Sequence, residues 1–163
     1  MDLNYEQWQQ VAQVSKHVGF IPVVDTFAAF GVTKGNLPHI MASLSSCPML
    51  AVYSHTGFQD AADGESHQST TYISAVSSIP YAKTIVVSTS TEAEALMTEA
   101  INNIEDARVE GRDGESHFFF VGRENYPEHL GEDLEYKIGK AQIIRQGKDG
   151  VVVGCGPALF KAL

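Results

Sequence analysis

Two histidines and an aspartate occur close together in one polar stretch of the chain: His55, Asp63 and His67, spaced by eight and then four residues. Imidazole can give and take protons near neutral pH, so this spacing could support acid–base chemistry on a bound ligand. With Asp60, the same side chains would form a set of nitrogen and oxygen ligands that suits zinc or manganese. The stretch therefore predicts a proton-transferring site or, as an alternative, the metal site of a hydrolase.

An arginine and two phenylalanines add further candidates. Arg123 follows an apolar run, and its guanidinium group would match the geometry of a phosphate, although a structural ion pair would explain it equally well. Phe27 and Phe30 are three residues apart beside another apolar run. Their spacing alone predicts ordinary core packing.

Continuous apolar runs in the sequence indicate the strands beside which these residues lie. Such non-alternating runs, rich in Val, Ile and Phe, are typical of strands buried on both faces of a parallel sheet. They predict strands at 20–24, 49–53, 84–87, 118–121 and 151–153. Loops at the carboxyl ends of parallel strands carry binding groups, so the segments after residues 53 and 121 are the places for a site.

Helical segments separate the predicted strands, near residues 5–18, 37–46, 68–78 and 91–105. Pro38 suits the first turn of the second helix, and Thr91 with Glu94 has the spacing of a capping box for the fourth. The repeated strand–helix order predicts a three-layer α/β/α fold with a mostly parallel sheet.

Composition narrows the classes of partner. The 20 acidic and 11 basic residues give a net charge of -9, which opposes binding to nucleic acid or to an anionic membrane. No apolar stretch approaches the ~20 residues of a membrane span, and the acidic, glutamine-rich N-terminus is unlike a signal peptide, so we expect a cytoplasmic protein. Cys47 and Cys155 form no CxxC pair, and we interpret both as buried small hydrophobic residues.

Three segments resemble the central, pyrimidine-binding domain of transketolases. Residues 53–68, YSHTGFQDAADGESHQ, resemble the substrate-channel loop of that family, in which a histidine after a strand precedes a D-G-x-x-H-Q motif. Residues 25–31, DTFAAFG, resemble its T-F-x-x-F segment, and residues 122–127, GRENYP, its S-R-x-N-x-P segment. The resemblance runs from about residue 19 to the end. It implies an N-terminally truncated pyrimidine-binding domain at 1–130, followed at 131–163 by a linker and the start of the family's third domain.

The resemblance implies that the cofactor is thiamine diphosphate. Phe27 and Phe30 would then pack around its aminopyrimidine ring. The family's central glutamate, which hydrogen-bonds that ring, has Glu6 as its candidate, one residue from the usual interval. A capped, solvated first helical turn explains Glu6 equally well. Thr33 replaces an aromatic residue that commonly lines the cofactor ring.

The resemblance also implies substrate contacts. His55 and His67 would act in catalysis by hydrogen-bonding the carbonyl and hydroxyl oxygens of a sugar. Asp63 would contact a hydroxyl group near the reacting carbon, and Arg123 would pair with the sugar phosphate. The implied reaction moves a two-carbon ketol unit between sugar phosphates.

The family's G-D-G motif, which binds the diphosphate and its Mg²⁺, is absent from the sequence. We therefore expect the chain to need a diphosphate-binding partner domain or subunit, to be inactive alone and to form a homo-oligomer. Two alternatives remain open: a non-catalytic interaction or regulatory module, which the polar N-terminal helix favours, and the beta-type subunit of a 2-oxoacid dehydrogenase. The D-G-x-x-H-Q motif favours transketolase over the latter.

Overall fold

The fold is built on four parallel strands. The structure is a computed structural model that describes residues 10, 14, 18–59, 61–131 and 134–163. The strands are β1 (Val23–Phe27), β2 (Leu50–Ser54), β3 (Ala82–Val86) and β4 (Ser116–Phe120), and they lie side by side in the order β1-β2-β4-β3. Val23 pairs with Leu50 at one end of the β1–β2 ladder and Phe27 with Ser54 at the other. The carboxyl ends of β1, β2 and β4 therefore meet at one edge of the sheet.

Helices cover both faces of this sheet. In chain order they are α1 (Ala28–Thr33), α2 (Asn36–Leu44), α3 (Tyr72–Ser77), α4 (Ser90–Val109) and the terminal α5 (Leu159–Ala162). Short 3₁₀ turns span Glu65–His67 and Gly156–Ala158. Within the described part of the chain, no helix is long and apolar enough to cross a membrane.

The core lies in two layers, one on each side of β4. Phe118 and Phe120 pack with Tyr53 on the side of α1, α2 and α3, whereas Phe119 packs with Leu96 on the side of α4. All five residues of β4 are buried. A strand covered on both faces has no reason to alternate apolar and polar residues, which explains the continuous apolar run. The predicted three-layer α/β/α fold with a parallel sheet is confirmed.

One predicted strand is wrong. Residues 151–153 form no strand, and their valines are 90%, 78% and 89% exposed. β-branched residues favour extended backbone, but a strand also needs a neighbour to bond, and the described residues supply none. Cys155, in the same terminal segment, is exposed, so its interpretation as a buried residue is also wrong, whereas Cys47 is buried as expected. β1 begins three residues later than predicted, after Pro22.

The helices differ from the prediction in two respects. α1 was not predicted, because its six residues are too few to show a helical period. The capping interaction of α4 lies two residues before the predicted pair: the Thr89 hydroxyl accepts a hydrogen bond from the Glu92 amide, and Glu92 accepts one from the Ser88 amide. The Thr91 and Glu94 box is therefore wrong, although the same spacing recurs in the real cap. Of the helix predicted at 5–18, residues 10, 14 and 18 are helical, and its other residues lie outside the described ones.

Candidate functional site

Four predicted site residues form one cluster at the carboxyl edge of the sheet. Phe27 stacks on His55 with ring centroids 3.9 Å apart, and its ring lies 5.6 Å from that of His67. Phe30 meets the ring of His67 edge to face at 5.0 Å. We call these four rings the aromatic–histidine cluster. They come from two segments of the sequence that β1 and β2 bring together.

The two phenylalanines are placed by the junction of β1 and α1. Phe27 is the last residue of β1 and caps α1 with extended backbone, and Phe30 follows within the first turn. The interval of three residues across the start of the helix places the two side chains on one side, and their rings are nearly parallel, with an interplanar angle of 13° and centroids 5.9 Å apart. Both side chains are half-buried, which leaves part of each ring accessible.

His55 is held in an unusual backbone conformation. It follows the last residue of β2 with a φ of 58°, in the left-handed region that residues other than glycine seldom adopt. The Ser54 hydroxyl lies 2.8 Å from its Nδ1 atom. Such strain at the end of a buried strand is frequent at functional sites, and here it places the imidazole against Phe27.

His67 reaches the cluster because the loop that carries it closes on itself. The backbone groups of Gly57 and Ser69 exchange two hydrogen bonds, of 2.8 and 3.1 Å, which bring the end of the loop back beside its start. His67 ends the 3₁₀ turn, and the Ser66 hydroxyl lies 2.9 Å from its Nδ1 atom. Among the described residues no hydrogen bond involves His67 Nε2, so this nitrogen is the one available to a ligand.

Asp63 is not one of the rings of the aromatic–histidine cluster. Asp63 is exposed on the turn of the same loop, and no described residue makes a hydrogen bond or ion pair with it. Glu6 lies outside the described residues, as does Asp60 of the alternative metal set. Within the described part of the chain, no three His, Cys, Asp or Glu side chains are grouped to hold a metal ion.

Arg123 lies on the neighbouring loop, after β4, and its side chain is exposed. Its backbone N–H donates to Gln59 Oε1 at 2.9 Å, and Gln59 Nε2 donates to the Tyr126 hydroxyl. Neither Gln59 nor Tyr126 was among the residues selected from the sequence, because neither residue type by itself indicated a role. The one signal available was their position, because Gln59 lies within residues 53–68 and Tyr126 within residues 122–127, two of the three matched segments.

A lysine that the sequence analysis did not select lies at the rim of the cluster. Lys34 follows α1, and its Nζ atom lies 5.6 Å from the centroid of the Phe30 ring, within the range of a cation–π contact. The contact places a positive charge against the Phe30 ring of the cluster.

A buried polar pair supports β2 beneath the site. The Tyr53 hydroxyl lies 2.6 Å from His39 Nε2, which is also 3.3 Å from the Gly31 carbonyl oxygen. His39 is almost fully buried, and this desolvation lowers its pKa from 6.5 to about 4, with the Gly31 hydrogen bond acting weakly in the opposite direction. His39 carries no sequence pattern that would have indicated this role.

The part of the chain that carries the cluster matches a known protein family. The sequence model of a family described as the transketolase, pyrimidine binding domain, matches residues 13–109. The chain belongs to this family. The match contains β1, β2 and the whole aromatic–histidine cluster, so the resemblance identified from three motifs is confirmed. No curated protein matches the chain.

Solved structures of transketolases share the fold. A structure titled as a split gene transketolase, inactive beta4 tetramer, has a TM-score of 0.63 and 23% identity, over 91% of this chain and 45% of that one. Transketolase from Campylobacter jejuni has a TM-score of 0.62 and 16% identity, over 88% of this chain and 22% of that one. The enzyme from Pichia stipitis with sedoheptulose-7-phosphate has a TM-score of 0.53 and 21% identity, over 68% and 15%. The chain therefore spans less than half the length of each of these proteins.

The cluster partly fits the cofactor on which the family depends. A flat ring held between two others needs them about 7 Å apart, two contacts of ~3.5 Å each. The 5.9 Å between the Phe27 and Phe30 centroids is too small for that. A heteroaromatic ring therefore cannot lie between the two members of this pair. The part of each half-buried ring that stays accessible is an apolar aromatic surface, of the kind that the pyrimidine half of thiamine diphosphate would contact.

Proposed function

We propose that the chain is a fragment or subunit of a transketolase-like enzyme, which moves a two-carbon ketol unit between sugar phosphates. The observation that carries the proposal is the aromatic–histidine cluster, because it assembles residues of two family motifs at one edge of the sheet. Residues 1–130 would form the pyrimidine-binding domain, and 131–163 the linker and the start of a third domain. A cytoplasmic location belongs to the same proposal.

Phe27 and Phe30 would support the aminopyrimidine ring of thiamine diphosphate. When bound, the cofactor supplies the carbanion chemistry, so the protein has to orient the reactants and move protons. Glu6, as the candidate for the family's glutamate, would hydrogen-bond the same ring.

His55 and His67 would hold the sugar's oxygens and move protons on them. The Ser54 and Ser66 hydroxyls, at the two Nδ1 atoms, would fix the orientation of the imidazoles. At His67 this leaves Nε2 to face a substrate oxygen. Asp63 would contact a hydroxyl group once a substrate fills the space beside the loop, and Arg123 would bind the terminal phosphate.

We propose that a partner domain or subunit supplies the diphosphate site and its Mg²⁺. Two facts support this: the sequence has no G-D-G motif, and the chain spans 45% of the split gene transketolase chain that shares its fold. That protein is described as an inactive beta4 tetramer. By analogy, our chain would self-associate and would be inactive until its partner is added.

Calorimetric titration with thiamine diphosphate and Mg²⁺ tests the proposal. The isolated chain should give no heat of binding. When a second chain that carries the diphosphate domain is added, the mixture should show both cofactor binding and ketol transfer. Phe30→Ala should then weaken binding more than tenfold. The control Phe58→Ala removes a phenylalanine that is 75% exposed and outside the cluster, and should have no effect.

Two results would contradict the proposal in different ways. Tight binding by the isolated chain, unchanged in His67→Ala, would mean that the cofactor site is complete without a partner. If the mixture gives no heat and no ketol transfer, an enzymatic role is contradicted. That result would favour an interaction module.

An interaction module is the second candidate, and the surface of α2 favours it. Leu37, Met41 and Leu44 follow one helical face, and they are 67%, 38% and 68% exposed. Sedimentation at micromolar concentration should show self-association of the isolated chain. A strictly monomeric species would contradict the homo-oligomer in both candidate functions.

A further inference from the structure

We infer that Gln59 is a positioning residue, which holds the loop of Arg123 against the loop of the two histidines. The Gln59 amide thereby keeps two parts of the site together. This inference rests on the proposed function only where it assigns Arg123 a phosphate ligand.

Both ends of the Gln59 amide are used across the two loops. Its Oε1 atom accepts a hydrogen bond from the Arg123 backbone N–H at 2.9 Å, and its Nε2 atom donates to the Tyr126 hydroxyl. Gln59 follows β2, whereas Arg123 and Tyr126 follow β4, the neighbouring strand in the sheet. A single side chain therefore bridges segments that are 64 residues apart along the chain.

The space for this bridge depends on Gly122. A Cβ atom at residue 122 would lie 2.5 Å from Gln59 Oε1 and 2.7 Å from the Tyr126 ring, closer than any normal contact. Gln59 is long and flexible, so a larger residue at 122 would push its amide away instead of distorting the backbone. The glycine thus allows the amide to reach both partners.

The bridge is supported from the C-terminal side. The Phe160 ring of α5 lies parallel to the Tyr126 ring, with an interplanar angle of 8° and centroids 6.0 Å apart. Beneath the bridge, the Val121 N–H bonds the Tyr53 carbonyl at 2.8 Å, which already aligns the ends of β2 and β4. Beyond Val121 the strand ladder has ended, and the hydrogen bond from the Arg123 N–H to Gln59 continues the attachment outward.

Amide hydrogen exchange on the full chain tests the bridge directly. In Gln59→Met, which keeps the side-chain length but removes both polar groups, the Arg123 amide should exchange about tenfold faster. The Val121 amide should be unchanged, which distinguishes local release from global destabilisation. The same substitution at Gln146, an exposed glutamine, is the matched control and should leave the Arg123 amide unchanged.

A second pair of variants separates the two hydrogen bonds. Tyr126→Phe removes the hydroxyl but keeps the ring against Phe160, so Arg123 protection should fall by less than in Gln59→Met. Unchanged Arg123 exchange in Gln59→Met would overturn the inference. The inference would also be overturned if Gln59→Met lost amide protection throughout the chain and Gln146→Met lost as much protection at Arg123.

A titration with inorganic phosphate tests whether the position of the Arg123 loop affects phosphate binding. Binding is followed by NMR at the side-chain Nε–H signal of Arg123. Gln59→Met should weaken phosphate binding roughly three- to tenfold at that signal, because it removes the hydrogen bond that holds the Arg123 backbone as well as the one to Tyr126. Equal affinity in the variant and the wild type would overturn the positioning role. If the wild-type chain shows no phosphate binding, the substrate role of Arg123 in the proposed function fails, and the bridge is judged by the exchange data alone.

Discussion

The buried His39 should make the folded chain sensitive to mild acid. Its imidazole is 2% exposed and lies between Tyr53 and the Gly31 carbonyl, a setting that suits the neutral ring. Burial lowers the pKa of His39 from 6.5 to about 4. Between those values the unfolded chain binds more protons than the folded chain, so stability is fully present above pH 6.5 and is lost as the pH falls towards 4.

The size of this effect follows from the pKa difference. Each pKa unit corresponds to ~1.4 kcal/mol, so His39 should lower the free energy of unfolding by about 2 kcal/mol between pH 7 and pH 5. The full effect, reached below pH 4, is about 3 kcal/mol. Burial also lowers the pKa of His117, which adds to the loss in the same direction.

Urea denaturation followed by circular dichroism at pH 7 and pH 5 provides the assay. In His39→Gln the side chain cannot titrate and its amide can still bond the Tyr53 hydroxyl. The wild-type chain should therefore lose about 2 kcal/mol more stability over this interval than the variant. Equal losses in the two proteins would refute the reasoning, because the residual slope from His117 is common to both.

The remaining predictions concern stability at pH 7, measured by urea denaturation. Thr89→Ala removes the hydroxyl that accepts a hydrogen bond from the Glu92 N–H, and it should lower the free energy of unfolding by about 1 kcal/mol. Thr91→Ala should lower it by less. The reverse order would contradict the assignment of Thr89 as the cap. Gly31→Ala places a Cβ atom 2.6 Å from the ring of the fully buried Tyr53 and should cost about 1–3 kcal/mol. A neutral Gly31→Ala variant would show that the packing there is looser than the structure indicates.

Most of the sheet could be predicted from the sequence. Four of the five predicted strands exist, because short apolar runs such as Phe118–Phe120, rich in β-forming residues, are typical of strands covered on both faces. The same local reasoning was wrong at 151–153, where the valines look like a strand but find no neighbour among the described residues. Apolarity predicts that a segment can be buried, and it does not say which other segment covers it.

The candidate site was only partly predictable, for a related reason. Matching motifs selected Phe27, His55 and His67, and the structure brings them together. The motifs did not indicate Gln59, because its partners are the backbone of a distant residue and a tyrosine hydroxyl. Nor did they indicate His39, whose role arises from burial.

The class of fold, the order of the motifs and the transketolase resemblance could be inferred without a structure, because apolar runs and motif spacing are local properties. The left-handed backbone of His55 and its stacking on Phe27 could not. Nor could the return of His67 to the same rings by the loop that closes at Gly57 and Ser69. These contacts depend on which strands are neighbours. The neighbours of a strand are set by packing across the whole sheet, which no short stretch of sequence encodes.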